Sequence, residues 1–150
     1  MADAPPQAIA PQAIVEVCIC HHARRAARAI SRAFDEALSP SGLRANQFNI
    51  LAVIAACDQT SAAEVAGILA MDRTTLSRNL KPLRKAGYLT TDGGAGRRPD
   101  VLALTAVGRG ALVKASVLWR EAQGQLTERM GAGQAGILLQ TLEAAAKAAN

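Results

Sequence analysis

The fold is decided by residues 61–91, which read SAAEVAGILAMDRTTLSRNLKPLRKAGYLTT. The spacing from Ser61 to Glu64 is that of a capping box, in which a hydroxyl and a carboxylate satisfy backbone donors at a helix start. Asp72 is placed to cap a second helix, and Gly87 suits the left-handed conformation that ends one. The stretch therefore predicts two short helices, of which the first reaches Ala70, joined by a tight link.

After Gly87 the apolar period changes from helical to alternating. Residues 88–91 and 101–104 predict two short strands, and the loop between them contains the glycine-rich, basic run GGAGRRP. Two helices with a tight link followed by a hairpin are the parts of a winged helix-turn-helix, whose wing is the hairpin. The expected fold class is mainly α with a small β hairpin, and residues 45–105 form the winged helix-turn-helix.

One face of the second helix carries cations and no acid. Successive residues of a helix are rotated by about 100° around its axis. When Leu76, Leu80 and Leu83 point inward, polar and basic side chains occupy the opposite face and its margins. These predicted DNA contacts are Thr74, Thr75, Ser77, Arg78, Lys81 and Lys85. The N-terminal half of such a helix reaches base edges, and later cations suit phosphates. Arg97 and Arg98 at the hairpin tip are predicted to enter a minor groove or hold the backbone.

Helices with an apolar face flank the winged segment on both sides. Apolar residues recur at spacings of three and four over 14–38, which predicts one long amphipathic helix. Thr105 is placed to cap another long helix, and a last helix follows an interruption at Gly131 to Gly136. Because the small middle of the chain cannot cover these faces alone, we expect residues 14–44 and 106–150 to form a helical dimerisation region.

The remaining segments complete the expected domain organisation. Residues 45–57 predict a helix that is apolar on every side over its second half and so is buried all round. Residues 1–13 contain three prolines and are predicted to be a flexible N-terminal arm. Residues 14–150 are expected to form one domain.

Composition and charge exclude several classes of protein. The net charge of +5 and the pI near 9.6 suit a polyanionic partner without identifying it. The longest apolar run is far below the roughly 18 residues of a membrane span, and an export signal is lacking, so we expect a cytoplasmic chain with no membrane partner.

The glycine-rich loop lacks the lysine of a phosphate-binding loop, and no nucleophile with its base can be assembled. An enzyme is not expected, nor is a cofactor.

Several short stretches together carry a family resemblance. They are GLRANQF at 42–48, DRTTLSR at 72–78, LRKAGYL at 83–89, GRR at 96–98 and LTAVG at 104–108. With them in this order, the chain resembles the MarR (multiple antibiotic resistance regulator) family of transcriptional regulators from about Ile14 to its end. The family wing commonly has an acidic residue just before the two arginines, whereas this chain has Gly96.

The resemblance implies a homodimer, joined through its first and last two helices, that binds inverted-repeat operators in double-stranded DNA. It also implies a repressor that leaves its operator when a signal arrives. We expect the signal to be a small organic effector, bound in the crevice between the dimer helices and the winged domain.

Two alternatives stay open. Cys18 and Cys20 point about 160° apart on a continuous helix, so only Cys18 with His21 or His22 could share a soft metal ion. In the hydroperoxide-sensing branch of the same family, a reactive cysteine lies near the start of the first long helix, as Cys18 does. A repressor that senses oxidants or soft metals through Cys18 and His22 is therefore the first alternative, although reduced thiols without a resident metal are the simpler interpretation. A helical scaffold that does not bind DNA, and whose function is insensitive to salt, is the second.

Overall fold

A computed structural model describes residues 9–57, 60–92, 101–131 and 133–149 of the chain, with the backbone alone at Thr91 and Asp92. The chain divides into two compact units after Ala33. Residues 1–8 of the predicted arm and residues 93–100 of the wing lie outside the described ranges.

The first unit contains helix α1, Pro11–Val17, and most of helix α2, Ile19–Leu38. The prediction of one continuous helix over 14–38 is wrong, because Cys18 is extended, with φ −72° and ψ 107°. β-Branched residues precede and follow this break, and such residues are weak helix formers. Helix α1 also begins before residue 14, since a proline at the first helical position loses no hydrogen bond.

The second unit contains the remaining helices and a small sheet. Its helices are α3, Ala45–Ala56; α4, Ala62–Ile68; α5, Arg73–Lys85; α6, Ala106–Met130; and α7, Gln134–Ala148. Its strands are β1, Thr60–Ser61; β2, Leu89–Asp92; and β3, Val101–Leu104. The antiparallel order is β1-β3-β2, with Thr60 opposite Leu102 and Leu89 opposite Leu104. The hairpin of β2 and β3 confirms the predicted wing, and the mainly helical fold class is confirmed with it.

The core of this unit is formed by leucine, isoleucine and valine side chains with one aromatic ring. Its fully buried large side chains are Leu38, Ile50, Leu51, Val65, Leu76, Leu83 and Leu102. Phe48 stacks on Trp119 of α6 with ring centroids 6.0 Å apart. The expectation that α3 is buried all round is wrong, because Ala55 and Ala56 are exposed. A methyl group gains little from burial, so an alanine-rich helix end tolerates water.

Large apolar side chains of the terminal helices are exposed. On α7 they are Ile137, Leu139 and Leu142, and on α1 they are Ile14, Val15 and Val17. Within the described ranges, every helix is too short or too polar to span a lipid bilayer.

Candidate nucleic-acid interface

Helix α4 begins with the capping box that the sequence predicts. The Glu64 carboxylate accepts a hydrogen bond from the Ser61 backbone N–H at 2.7 Å, and the Ser61 hydroxyl accepts one from the Glu64 N–H at 3.3 Å. The backbone bond from Ser61, followed by the bonds from the hydroxyls of Ser61 and Thr60, lowers the pKa of Glu64 below its ordinary 4.5. The start of the helix-turn-helix is thus fixed locally.

The link between α4 and α5 is a tight turn through a left-handed residue. Ala70 has φ 48°, and the Met71 N–H bonds to the Ala66 carbonyl at 2.9 Å, while the Ala70 N–H bonds to the Gly67 carbonyl at 3.2 Å. This pair of bonds is the Schellman pattern, which satisfies carbonyls at a helix end. Helix α4 ends at Ile68, slightly before the predicted Ala70.

Asp72 caps the start of α5, as predicted. Its carboxylate accepts the Thr75 hydroxyl proton at 2.6 Å and the Thr75 backbone N–H at 2.8 Å. These two bonds, the hydroxyl first, lower the pKa of Asp72 below its ordinary 3.8. At the other end Gly87 is left-handed, with φ 71°, and the Tyr88 N–H reaches the Leu83 carbonyl at 3.0 Å. Both ends of α5 are therefore held by side-chain or backbone caps.

The face of α5 opposite the core is basic. Leu76, Leu80 and Leu83 are buried as predicted. The predicted contacts on the exposed side are Thr74, Ser77, Arg78, Lys81 and Lys85. In the part of the chain that the structure describes, the one ion pair joins Arg44 and Asp35, so the cations of α5 have no acidic partner. An exposed basic face without counter-charges suits the phosphates and base edges of DNA.

Thr75 differs from the other predicted contacts on α5. Its side chain is half-buried, and its hydroxyl proton is donated to Asp72. Thr75 can therefore offer DNA an acceptor but not that proton. Its part in the cap was not recognised from the sequence, although a threonine three residues after an aspartate is a signal for it.

The structure describes the wing at its base, where strands β2 and β3 pair. Arg97 and Arg98, predicted at its tip, lie outside the described residues, as does Gly96. The described base of the wing pairs Asp92 with Val101. The third strand, β1, was missed by the sequence analysis because two residues are too short to show alternation.

The wing and α5 meet the start of α6 at a junction that the sequence does not reveal. The Thr105 hydroxyl caps α6 by accepting the Gly108 N–H at 2.9 Å, as predicted, and it also donates to the Gly87 carbonyl at 2.6 Å. The Thr105 N–H bonds to the Tyr88 carbonyl at 3.0 Å, and the Arg109 guanidinium bonds to the Leu104 carbonyl at 2.8 Å.

Two further arginines lie beside the predicted face: Arg84, one of the later cations of α5 expected to suit phosphates, and Arg73, which was not predicted. Arg73 and Arg84 line a groove of about 430 Å³ between the start of α4 and α5, which Ser61 and Ser77 also border. Their positions follow from the same helical wheel, because Arg73, Ser77 and Arg84 are separated by four and seven residues.

Among the described residues, Cys18 and His22 have no third ligating side chain beside them. The His22 ring nitrogen Nε2 lies 3.0 Å from the Glu16 carbonyl, and the Cys18 Sγ accepts the His21 N–H at 3.4 Å. No cluster of three ligating side chains is present among the described residues. Cys18, Cys20 and Cys57 are free thiols.

Comparison with known proteins defines the class. Residues 43–90, from the loop before α3 into β2, match the family model described as winged helix-turn-helix DNA-binding. The transcriptional regulator MosR of M. tuberculosis is 38% identical, with a TM-score of 0.77, and the match covers 89% of this chain and 98% of MosR. The chain is thus a winged helix-turn-helix DNA-binding protein.

Two further structures are similar. The transcriptional repressor CouR, bound to p-coumaroyl-CoA, is 25% identical, with a TM-score of 0.79, over 89% of this chain and 94% of CouR. MarR of E. coli, complexed with operator DNA, shares the fold at 21% identity and a TM-score of 0.78, over 88% of this chain and 96% of MarR. A comparison with curated proteins gives no match. The chain belongs to the MarR family of transcriptional regulators and is a regulator rather than an enzyme.

Proposed function

We propose that this regulator is a cytoplasmic homodimeric repressor that binds an inverted-repeat operator and is released by a small organic effector. The basic face of α5 carries the proposal, because its cations are exposed and have no acidic partner among the described residues. Thr74, Thr75, Ser77 and Arg78 read base edges, and Lys81 and Lys85 hold phosphates. Arg97 and Arg98 add the contacts of the wing.

Dimerisation is supported by the exposed apolar side chains of the terminal helices. Residues 14–44 and 106–150 are the proposed dimerisation segments, and residues 45–105 the DNA-binding segment. The exposed leucines and isoleucines of α7 keep about half of their surface open to solvent, so burial of each contributes roughly half of the ~1.5–3 kcal/mol of a complete burial. In a symmetric dimer the same surface is buried twice, so α7 alone supplies several such contributions.

The effector is supported by a cavity and by a relative. A cavity of about 270 Å³ lies between α3, β3 and α6, and Ile54, Leu104, Leu112 and Arg109 are among its lining residues. This volume is near the lower limit of ligand pockets, and apolar walls with one cation suit a small organic anion. CouR was solved with an acyl-CoA ligand, p-coumaroyl-CoA.

The test begins with selection of duplexes from a random-sequence library by the purified protein. Binding of the selected duplex and of a scrambled duplex is then measured by fluorescence anisotropy at several salt concentrations. We expect a near-palindromic selected sequence and an affinity that falls steeply with salt, because phosphate contacts release counterions. Binding of neither duplex would favour the scaffold alternative, and equal binding of both would contradict a sequence-specific regulator.

Arg78→Ala tests the reading of bases. We expect a loss of about 1–3 kcal/mol on the selected duplex and a smaller loss on the scrambled one. Arg120→Ala, which removes an exposed arginine of α6, is the matched control and leaves both affinities unchanged. The double variant Arg97→Ala with Arg98→Ala lowers the salt slope by about 2. Equal losses of affinity for both duplexes in Arg78→Ala would show that this residue contacts the DNA phosphate backbone rather than the bases.

The oxidant-sensing alternative is favoured by the break at Cys18. The residue joins two helices, so a covalent change there alters the link between them. Titration of operator release with peroxide and with zinc, on the wild type and on Cys18→Ser, separates the two kinds of signal. Release by peroxide that Cys18→Ser abolishes supports thiol sensing. No release by either reagent supports the organic effector.

A further inference from the structure

The recognition helix α5 and helix α6 meet at one hydroxyl group. The Thr105 hydroxyl donates to the Gly87 carbonyl at 2.6 Å and accepts the Gly108 N–H at 2.9 Å. Gly87 belongs to the C-terminal cap of α5, and Gly108 to the first turn of α6. A hydroxyl has one proton, and that proton is committed to the α5 side. The residue therefore does more than cap its own helix.

The backbone on either side reinforces this joint. The Thr105 N–H donates to the Tyr88 carbonyl at 3.0 Å, so the peptide units after Gly87 and after Tyr88 are both held by Thr105. Gly108 has no side chain, and this lets the Tyr88 carbonyl lie directly against α6. Because Tyr88 precedes β2, the end of the recognition helix and the start of the wing are fixed at the same point.

The position of α5 at its joint with α6 affects DNA binding. Hydrogen bonds from α5 to base edges require donor–acceptor distances of about 2.7–3.2 Å, so small displacements of the helix weaken them. The first strand of the wing, β2, begins directly after Tyr88. In a dimer, α6 belongs to the proposed dimerisation segment, so the joint at Thr105 sets the placement of each recognition helix relative to the dimer.

We propose that the Thr105 hydroxyl is a positioning group for DNA binding, which tethers the Gly87 carbonyl to the start of α6 and thereby holds the recognition helix and the wing in register with the operator. The inference rests on the proposed function and adds to it a residue that was not predicted to contact DNA. Thr105 acts through Gly87 and Tyr88.

Thr105→Asp separates the cap from the tether. Aspartate is a strong N-cap residue, so its carboxylate continues to accept the Gly108 N–H. An ionised carboxylate has no proton for the Gly87 carbonyl, so the tether is lost. Thr105→Ser keeps both hydrogen bonds. We expect Thr105→Ser to bind the selected duplex within about twofold of the wild type, and Thr105→Asp to bind at least about tenfold more weakly.

Measurements of stability distinguish the proposed positioning role of Thr105 from a purely structural one. Each variant is unfolded in urea, and the affinity is measured at a temperature where all variants are folded. Ala115→Gly is the matched control, because it weakens α6 at a buried position about two turns beyond Gly108 and the joint. We expect Ala115→Gly to lose stability but to keep its affinity within about twofold, whereas Thr105→Asp loses no more stability than Ala115→Gly and at least about tenfold in affinity.

Three results would overturn the inference: wild-type affinity of Thr105→Asp, weak binding by Thr105→Ser, or an equal loss of affinity in Ala115→Gly. Thr105→Val, which lacks both hydrogen bonds, is the second variant if Thr105→Asp does not fold, and it is compared with Ala115→Gly at equal folded fraction. Failure of the proposed function looks different, because the wild type would then bind no duplex selectively.

Discussion

Replacement of Gly108 by alanine is expected to destabilise the protein, although alanine is normally the better helix former. Gly108 is buried in the first turn of α6. A Cβ atom there would lie 2.9 Å from the Tyr88 carbonyl carbon, 3.0 Å from the Tyr88 Cα and still closer to the carbonyl oxygen. These atoms are backbone, which cannot rotate away as a flexible side chain can. The start of α6, or the backbone at Tyr88 just before β2, must therefore move by roughly 1 Å.

The magnitude follows from three contributions. Overpacking costs typically about 1–3 kcal/mol. The displacement also stretches the two hydrogen bonds from Thr105 to Gly87 and Tyr88, each of which contributes about 1 kcal/mol. The intrinsic preference of a helix for alanine over glycine offsets about 1 kcal/mol. We expect the free energy of unfolding of Gly108→Ala to fall by about 2–4 kcal/mol.

Gly110→Ala is the matched control, because Gly110 lies in the same helix and a Cβ there meets no atom within 4 Å. We expect it to raise the free energy of unfolding by up to about 1 kcal/mol. Urea unfolding is followed by the fluorescence of Trp119, the one tryptophan of the chain, at equal protein concentration because a dimer's stability depends on it. If Gly108→Ala were as stable as Gly110→Ala, the close approach of Tyr88 to α6 would be refuted.

Three further predictions concern the turn, the caps and the dimer. Ala70→Gly relieves a left-handed alanine and is expected to raise the free energy of unfolding by roughly 0.5–1 kcal/mol; a decrease in urea unfolding would contradict the observed turn. Because the pKa of Asp72 is lowered by folding, its contribution to stability is present above pH 3.8 and is lost as the pH falls through the folded pKa. Asp72→Ser keeps an N-cap that does not titrate, so the free energy of unfolding should depend less on pH below 3.8 than it does in the wild type. An unchanged pH dependence would contradict the capping role of Asp72. Leu139→Asp removes an apolar side chain from each copy and adds a carboxylate, so it should weaken the dimer by at least about 2 kcal/mol in sedimentation, whereas its exposed neighbour in Gln140→Asp should not; an unweakened dimer in Leu139→Asp would place this part of α7 outside the interface.

Elements with strong local signals were predictable from the sequence. The capping box at Ser61, the caps at Asp72 and Thr105 and the left-handed Gly87 are each specified within four residues along the chain. The inward leucines of α5 follow from helical periodicity alone. The fold class and the basic face were therefore predictable without knowledge of tertiary contacts.

Features that depend on tertiary contacts were not predictable. The strand at Thr60 exists because β3 pairs with it, and two residues carry no period of their own. The exposure of Ala55 depends on which sides of α3 its neighbours cover, which the apolar run cannot show. The break at Cys18 interrupts a run with continuing apolar spacing and without glycine or proline, so periodicity predicted one helix where there are two.

The groups that stabilise α5 are mostly distinct from the groups proposed to read bases, and Thr75 belongs to both sets. Asp72 and the left-handed Gly87 hold its two ends, and buried leucines hold its inner face, so none of these groups occupies the exposed basic face. The exposed residues Ser77 and Arg78 can change without loss of core packing, and substitutions at such exposed positions usually alter stability by less than about 0.5 kcal/mol. Under the proposed function, operator preference can therefore diverge on this fold through the exposed face of α5. Its orientation depends instead on the joint with α6, where Gly108 and the Thr105 hydroxyl leave little room for change.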